Sequence, residues 1–547
     1  MTNKEISKAL KLSAALGELH EENDFKLKSL TNASFQIDRY GEALEGKSME
    51  QLVKIPGIGK GIAEKILELI ETGTSNDLQH YLQITPAGVV GLLSVKGIGP
   101  KKVKTLWHDM GIESPGELLY ACNENRLITA KGFGVKTQDS IRQGLEFSLS
   151  NSGKLHFAEA EIAAQEIIRL IEVEEPNWRL AFTGELRRKM EVVDQIELIA
   201  DVDADALEDV LGRLPLASNT EISDEFVQTS FADKYRIHIY WSDLENFERD
   251  QLIRTGPADH LQELDLDPEE PVISEESFYD ERGFPFIIPE LRDLPIDKAF
   301  AIDASKLVQF NDIIGVLHNH STWSDGADSL EEMAIAARDL GLKYLGICDH
   351  SRTASYAGGL GIDRVYQQWT EIDSLNSKLG PFHIFKGIES DILSDGSLDY
   401  PDEVLAGFDL VVASIHSIFG MDEERATSRL IKAIENPYTT ILGHPTGRLL
   451  LFRKGYPINH KKVIDACAAN SVIMELNAHP YRLDIDWRWI PYCLERGVKI
   501  SINPDAHRKA GYLDMHYGIN VARKAGLTPE MMFNALTLSE LTEYLKK

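Results

Sequence analysis

The sequence predicts a multidomain protein, with an all-α N-terminal region, an α+β middle and a parallel α/β barrel or sheet towards the C-terminal end. Three observations predict it. Residues 1–150 repeat a Gly-x-Gly turn that opens a helix. The middle segment places strand-like runs on both sides of a polar Thr183-Gly184 turn. After Asn311, seven apolar runs alternate with helical stretches, and strand–helix alternation implies parallel pairing.

The first segment contains Lys54-Ile-Pro-Gly57-Ile-Gly59-Lys60, followed by a helical pattern over 62–71. Val95-Lys-Gly97-Ile-Gly99-Pro100 precedes a second helix over 101–110, and Lys131-Gly-Phe-Gly-Val135 precedes a third over 137–145. Free backbone N–H groups at a helix N-terminus bind phosphate without reading sequence. Lys60, Lys101, Lys102 and Lys104 add charge nearby. The threefold pattern resembles helix-hairpin-helix DNA-binding motifs, and its order and spacing resemble the 8-kDa and fingers regions of X-family DNA polymerases. The resemblance implies an 8-kDa-like domain over 1–85 and a fingers-like domain over 86–150. It also implies DNA-backbone contacts at Gly57, Gly59, Gly97, Gly99 and the four lysines. Lys65 falls where some family members carry a Schiff-base lysine. That role requires a depressed amine pKa, and a solvated helix lysine is the favoured reading.

Residues 151–300 begin with a helix over 157–172 and a strand over 178–182. The turn Thr183-Gly-Glu-Leu-Arg-Arg-Lys-Met-Glu191 follows, then a strand over 195–200. This resembles the palm of an X-family polymerase, where a Gly-Ser-Arg-Arg turn leads into an Asp-x-Asp strand. Here Glu185 stands at the Ser position and Gln195 and Glu197 at the two Asp positions. His238, in the strand over 235–239, stands at the third. Two-metal nucleotidyl transfer needs several carboxylate oxygens to clamp both ions. Gln, Glu and His supply too little charge, so the polymerase site reads as degenerate. Asp201-Val-Asp203 spells the right pattern too far from the turn and reads as solvated acidic surface. Residues 263–293 complete a thumb.

In the last segment, an apolar run ends in His318-Asn-His320 and Asp325 follows in a Gly-containing turn. Later runs lead to His350, Glu389, His416, His444 and Asp505-Ala-His507. Alternate residues of a strand share a side, so His318 and His320 can meet one ion. In a parallel barrel the C-terminal strand ends converge on one face. Nine ligands are too many for one metal and suit two or three divalent ions, Mn or Zn, or Fe. Such clusters activate water and stabilise charge on a phosphoryl group. HNHSTWSDG, GICDHS, KGIES, SIHS, ILGHPTGR and PDAH resemble the motifs of the PHP (polymerase and histidinol phosphatase) domain, over roughly 305–547. That resemblance implies a distorted seven-stranded (βα)7 barrel, a trinuclear metal centre with all nine ligand positions filled, and phosphoester cleavage. Arg448, in GHPTGR, becomes the candidate for holding a substrate phosphate, beside the plainer reading of a turn arginine.

At 547 residues the chain has room for three or four domains. Four scattered Cys form no CxxC pair, which argues against a disulfide framework or a Cys zinc site. No apolar run reaches membrane-spanning length and residues 1–20 lack a signal-peptide core, so a cytoplasmic protein is expected. The net charge of -30 is concentrated in the middle: residues 151–304 hold 14 Lys+Arg against 37 Asp+Glu, residues 1–150 hold 18 against 19. DNA contact is therefore electrostatically plausible for the first segment and poorly supported for the second. The expected function is a DNA-binding, metal-dependent phosphoesterase. It would act as a 3′–5′ exonuclease or 3′-end processor on gapped, nicked or 3′-end substrates in repair, as a monomer. An active gap-filling polymerase with PHP proofreading, a histidinol-phosphate-like phosphatase and a non-catalytic scaffold are the alternatives.

Overall fold

The computed structural model describes residues 1–130, 132–149 and 153–546. These form two compact units, Met1–Glu146 and Phe147–Lys547.

The first unit is helical. Its first hairpin joins Met49–Val53 to Lys60–Thr72. Ser48 and Gln51 form a reciprocal cap at the start, and left-handed Gly73 ends the second helix. Between them Gly57 sits at φ +86°, which a side chain resists, and Gly59 is the cap residue. The second hairpin repeats this geometry, with Gly97 at φ +86° and Gly99 as cap. Its helix is shorter than the sequence pattern predicts: Pro100–Lys104 is α-helical and Thr105–Asp109 widens into a π-turn. In the third, Gly132 at φ +89° precedes helix Val135–Leu149, while Lys131 lies outside the described residues. Ile6, Leu10, Leu30, Leu52, Ile62 and Ile66 are among the residues that form the core of the first hairpin and its neighbours.

The second unit opens with a two-stranded ribbon, β1 (Leu155–His156) against β3 (Val192–Val193). A five-stranded sheet follows, built of β2 (Leu180–Phe182), β4 (Ile196–Ala200), β5 (Ala217–Ile222), β6 (Phe226–Phe231) and β7 (Tyr235–Trp241) in the order β2-β4-β7-β6-β5. Its central pair, β4 and β7, is parallel and the others are antiparallel. Helices Phe157–Glu174 and Ala204–Arg213 pack on it through Ala163, Ile167, Ile171, Leu207 and Leu211. Asp203 is the N-cap of the second helix and accepts from Ala206 N at 2.9 Å, while Asp201 accepts from Arg179 N at 2.6 Å. Both acids of the Asp-x-Asp look-alike thus hold local backbone, a more definite job than solvated surface.

The barrel strands are β8 (Gly315–Val316), β9 (Tyr344–Ile347), β10 (His383–Asp391), β11 (Leu410–Ser414), β12 (Ile441–Leu442), β13 (Ile473–Asn477) and β14 (Ile500–Asn503). They pair in sequence order, every neighbour parallel. Beyond β8, Asn319 bridges Ala506 in parallel register and His320 N donates to Ala506 O at 2.9 Å, which brings the last strand's end back to the first. Helices such as Leu330–Asp339, capped by Ser329 and Glu332, cover the outside. No helix among the described residues is long and apolar enough to cross a membrane.

Candidate metal centre and the palm site

The strand ends of the barrel bring all nine sequence-predicted ligands to one buried cluster. His318, His320 and His350 are fully buried, and Asp325, Glu389, His444, Asp505 and His507 nearly so. Among these nine, three groups have ligand atoms within 4.8 Å of one another: His320, Asp325, His350 and His507; His318, His320 and Asp505; His350, Glu389 and His416. His320 and His350 each belong to two groups, and Glu389 lies between them, 3.7 Å from His320 Nε2 and 2.9 Å from His350 Nδ1. His444 joins through Nε2, 2.9 Å from Glu389 Oε1. Asp325 arrives on the tight turn closed by Gly326 N to Ser321 O. Any Cβ at Gly326 would meet the Ser321 backbone at 2.6 Å, so glycine is required there.

The residues fit divalent cations. His318 Nε2, His320 Nδ1, both ring nitrogens of His350, and His416 Nε2 are buried and, although carboxylate oxygens lie 2.9 to 3.8 Å from them, make no hydrogen bond of ordinary geometry among the described residues. A buried polar atom left in that state is costly, and a metal ion removes the cost. The opposite nitrogens of two rings are already fixed. His318 Nδ1 donates to Glu475 at 2.7 Å and His416 Nδ1 donates to Asp391 at 2.6 Å. This carboxylate–histidine arrangement sets the tautomer that presents Nε2 to a metal. Burial opposes charge on Asp325, Glu389 and Asp505, yet the surrounding imidazoles hold all three well below the usual carboxylate range. The cluster therefore supplies ionised oxygens and imidazole nitrogens, the mixed set that borderline divalent metals take.

The palm has a different chemistry at the corresponding place. Parallel register puts Glu197 beside His238 across β4 and β7. Tyr240 donates to Glu197 Oε1 at 2.8 Å, and the carboxylate packs so closely on Gly184 that a Cβ there would meet Oε2 at 1.9 Å. Burial pushes the Glu197 carboxyl above its usual range. His238 donates Nε2–H to Gln228 at 3.0 Å and stacks on Phe226 at 3.9 Å, and burial lowers its imidazole to about 4. Glu185, at the turn, accepts from Asp194 N at 2.7 Å. These side chains satisfy each other and local backbone.

Three families match segments of the chain: a helix-hairpin-helix domain over residues 1–75, a SAM-like helix-hairpin-helix tandem over 90–146, and a PHP domain over 317–479. The DNA polymerase/3′-5′ exonuclease PolX of Bacillus subtilis (strain 168) is 32% identical over 570 aligned residues that span 100% of both chains. The chain belongs to the PolX family. A probable phosphatase of Thermoanaerobacter sp. (strain X514) is 29% identical over 241 residues, 42% of this chain and 93% of the phosphatase. Another, of Acetivibrio thermocellus, is 28% identical over 244 residues, 42% of this chain and 94% of that protein. The part shared with the phosphatases is less than half of this PolX-family protein.

One sequence-predicted residue of this PolX-family chain is placed elsewhere than expected. Arg448 faces away from a phosphate role: Nε donates to Arg482 O at 2.9 Å, one terminal nitrogen to Asp486 at 2.7 Å and the other to Leu483 O. All of these partners lie on the loop that follows β13. Glu475 and Asp391 were not identified as ligand-orienting groups. Their signals were present: a charge inside the apolar run of β13, and an acid two positions after Glu389 on the same side of β10. In the first unit Gly57, Gly59, Gly97, Gly99, Lys60 and Lys101 are exposed at the hairpin turns. Lys102 approaches Gly97 O at 3.4 Å, and Lys104 pairs with Glu21 at 2.6 Å. Lys65 is held by Asp77 at 2.6 Å rather than solvated.

Proposed function

We propose that the protein is a DNA phosphoesterase of 3′–5′ polarity, dependent on two or three divalent ions, Mn, Zn or Fe, with a palm that no longer polymerises. The single observation that carries this reading is the contrast between the two sites. The barrel keeps nine converging candidate ligands, eight of them in three overlapping sets, while the palm offers one carboxylate, Glu197, with Gln195 and His238 at the other two positions of a two-metal clamp. Divalent ions held by the nine ligands supply an activated water and stabilise phosphoryl charge. The chain's own residues do the rest. Glu475 and Asp391 keep His318 and His416 aimed inward. Asp325, Glu389 and Asp505 remain ionised, and burial excludes bulk water. The exposed hairpin turns hold the sugar-phosphate backbone without reading bases. Domains over 1–85, 86–150, 151–300 and 305–547 divide this work, in a cytoplasmic monomer that processes 3′ ends during repair.

The polymerase named in the Bacillus relative favours a second reading, gap filling with PHP proofreading. A 5′-labelled primer in a gapped duplex, with dNTPs and Mn, separates the two. Shortening from the 3′ end is expected, lost in His318→Ala and kept in Glu197→Ala. A primer that lengthens, and stops lengthening in Glu197→Ala, overturns the silent palm. A primer unchanged by wild type moves the substrate class towards small phosphate esters.

A further inference from the structure

The palm touches the barrel at the loop that runs past the metal ligands. Loop 478–488 follows β13 and carries Arg482, which is 3% exposed and whose Nε lies 3.8 Å from Asp505 Oδ2. The barrel grips this loop from one side. Arg448 donates to the carbonyls of Arg482 and Leu483, Asp484 accepts from Thr446 N and Oγ1 at 3.0 and 2.9 Å, and Asn477 N donates to Asp484 O at 2.6 Å.

The palm grips the same loop at two more points. The β1–β3 ribbon brings His156 and Glu191 together, with Phe157 N donating to Glu191 O at 3.2 Å. The His156 ring lies 4.3 Å from Tyr481, and its Nε2–H donates to Leu450 O at 2.9 Å. Leu450 N in turn donates to Tyr481 O at 2.6 Å. Glu191 accepts from Trp487 Nε1 at 3.2 Å and from Arg488 at 2.9 Å. Tyr481 and Trp487 stand on either side of Arg482 in the chain, so the ribbon brackets it.

We propose that Arg482 holds a non-bridging oxygen of the scissile phosphate beside the ligand cluster, and that the palm ribbon, through His156 and Glu191, positions Arg482 to do so. The proposal rests on the phosphoesterase reading. A guanidinium offers a planar fork matched to phosphate and stays charged when buried. Its value depends on being fixed in advance, since a misplacement of about 1 Å costs up to about 10²-fold in rate. Arg448, the sequence-predicted phosphate residue, serves instead as part of the mount. The palm thereby retains a purpose in cleavage that needs none of its polymerase carboxylates. His156 and Glu191 are positioning residues, acting through Arg482.

The test uses the full-length protein with Mn on the 5′-labelled primer, reading kcat, KM, bound Mn and melting temperature. Arg482→Gln is expected to lower kcat about 10²-fold with bound Mn unchanged, and Arg482→Lys to recover part of the loss. His156→Ala is expected to lower kcat about 10-fold, again with Mn unchanged. The double variant is expected to be no slower than Arg482→Gln alone, since residues that act through one another are not additive. Glu191→Gln carries the same expectation should His156→Ala fail to fold. Additive losses, or His156→Ala and Glu191→Gln at wild-type rate, overturn the palm's part. Loss of Mn from Arg482→Gln makes Arg482 a charge balance for Asp505 and overturns its contact with phosphate. Wild-type protein that leaves DNA uncut overturns the phosphoesterase reading itself, and this proposal with it.

Discussion

Glu475 shows how much one side chain can decide. One oxygen accepts from His318 Nδ1 at 2.7 Å and from Asn503 Nδ2 at 3.0 Å, and the other accepts from His444 N at 2.7 Å. It holds two candidate ligands, His318 and His444, in place. Glu475→Gln is expected to weaken Mn binding about 10- to 100-fold, measured by titration calorimetry. Asp391→Asn should do the same through His416, and an unchanged affinity in both would mean the rings are held by packing alone. Two palm and thumb histidines carry a pH effect of definite sign. Burial, and then neighbouring arginine charge, lower His238 and His260 from the ordinary 6.5 to about 4. Between those values the unfolded chain binds protons that the folded chain refuses, so stability falls as pH drops from 6.5 to about 4. Below about 4 these groups add no further loss. Melting temperatures across that window should decline, and His260→Phe should flatten part of the decline.

Among the elements, helix Met515–Lys524 of the barrel joins palm and barrel by a buried charge. Lys524 is fully buried, donates to Arg188 O at 3.1 Å and Glu290 O at 3.3 Å, and pairs with Asp293. Its ammonium also lies 4.8 Å from the Trp487 ring. Lys524→Met removes one of the two cations on Asp293, leaving Arg188 Nε at 3.1 Å, and should destabilise the second unit by about 2 kcal/mol in denaturant unfolding. A loss near zero would show that Arg188 alone compensates Asp293. The hairpin turns allow a second element-scale prediction. Lys60 and Lys101 are exposed beside Gly59 and Gly99, where helix N-termini present free N–H groups. Each Lys→Ala change should lower the slope of log affinity against log salt by about 0.9 on duplex DNA, without altering sequence preference. A change in preference would point to base contacts.

The whole molecule combines an electrically balanced hairpin unit with an acidic palm and a barrel whose buried cluster calls for cations. Loaded barrels should be more stable than stripped ones, because a ligand that binds only the folded state stabilises it. At a hundredfold excess over Kd the gain is about 2.7 kcal/mol. Chelation should therefore lower the second unit's melting transition, and excess Mn should restore it; equal melting curves would argue against binding at the cluster.

The sequence by itself determined the fold class and nominated nine candidate ligands at the barrel strand ends. Both follow from local pattern: an apolar run names the strand, and the polar residue at its end names the ligand. It assigned Glu197 and His238 to separate strands, and only the structure pairs them across β4 and β7. What it left out needed partners far along the chain. The bond from His318 to Glu475 spans 157 positions, and the His156 contact with Leu450 spans 294. Arg448 stood open between a phosphate role and a turn arginine for the same reason, because a motif gives a residue's neighbours in sequence but not the direction of its side chain. Only the tertiary structure turned it onto loop 478–488 and brought Arg482 to Asp505. Backbone periodicity is a property of short segments, whereas a guanidinium's partners are fixed by how those segments close around one another.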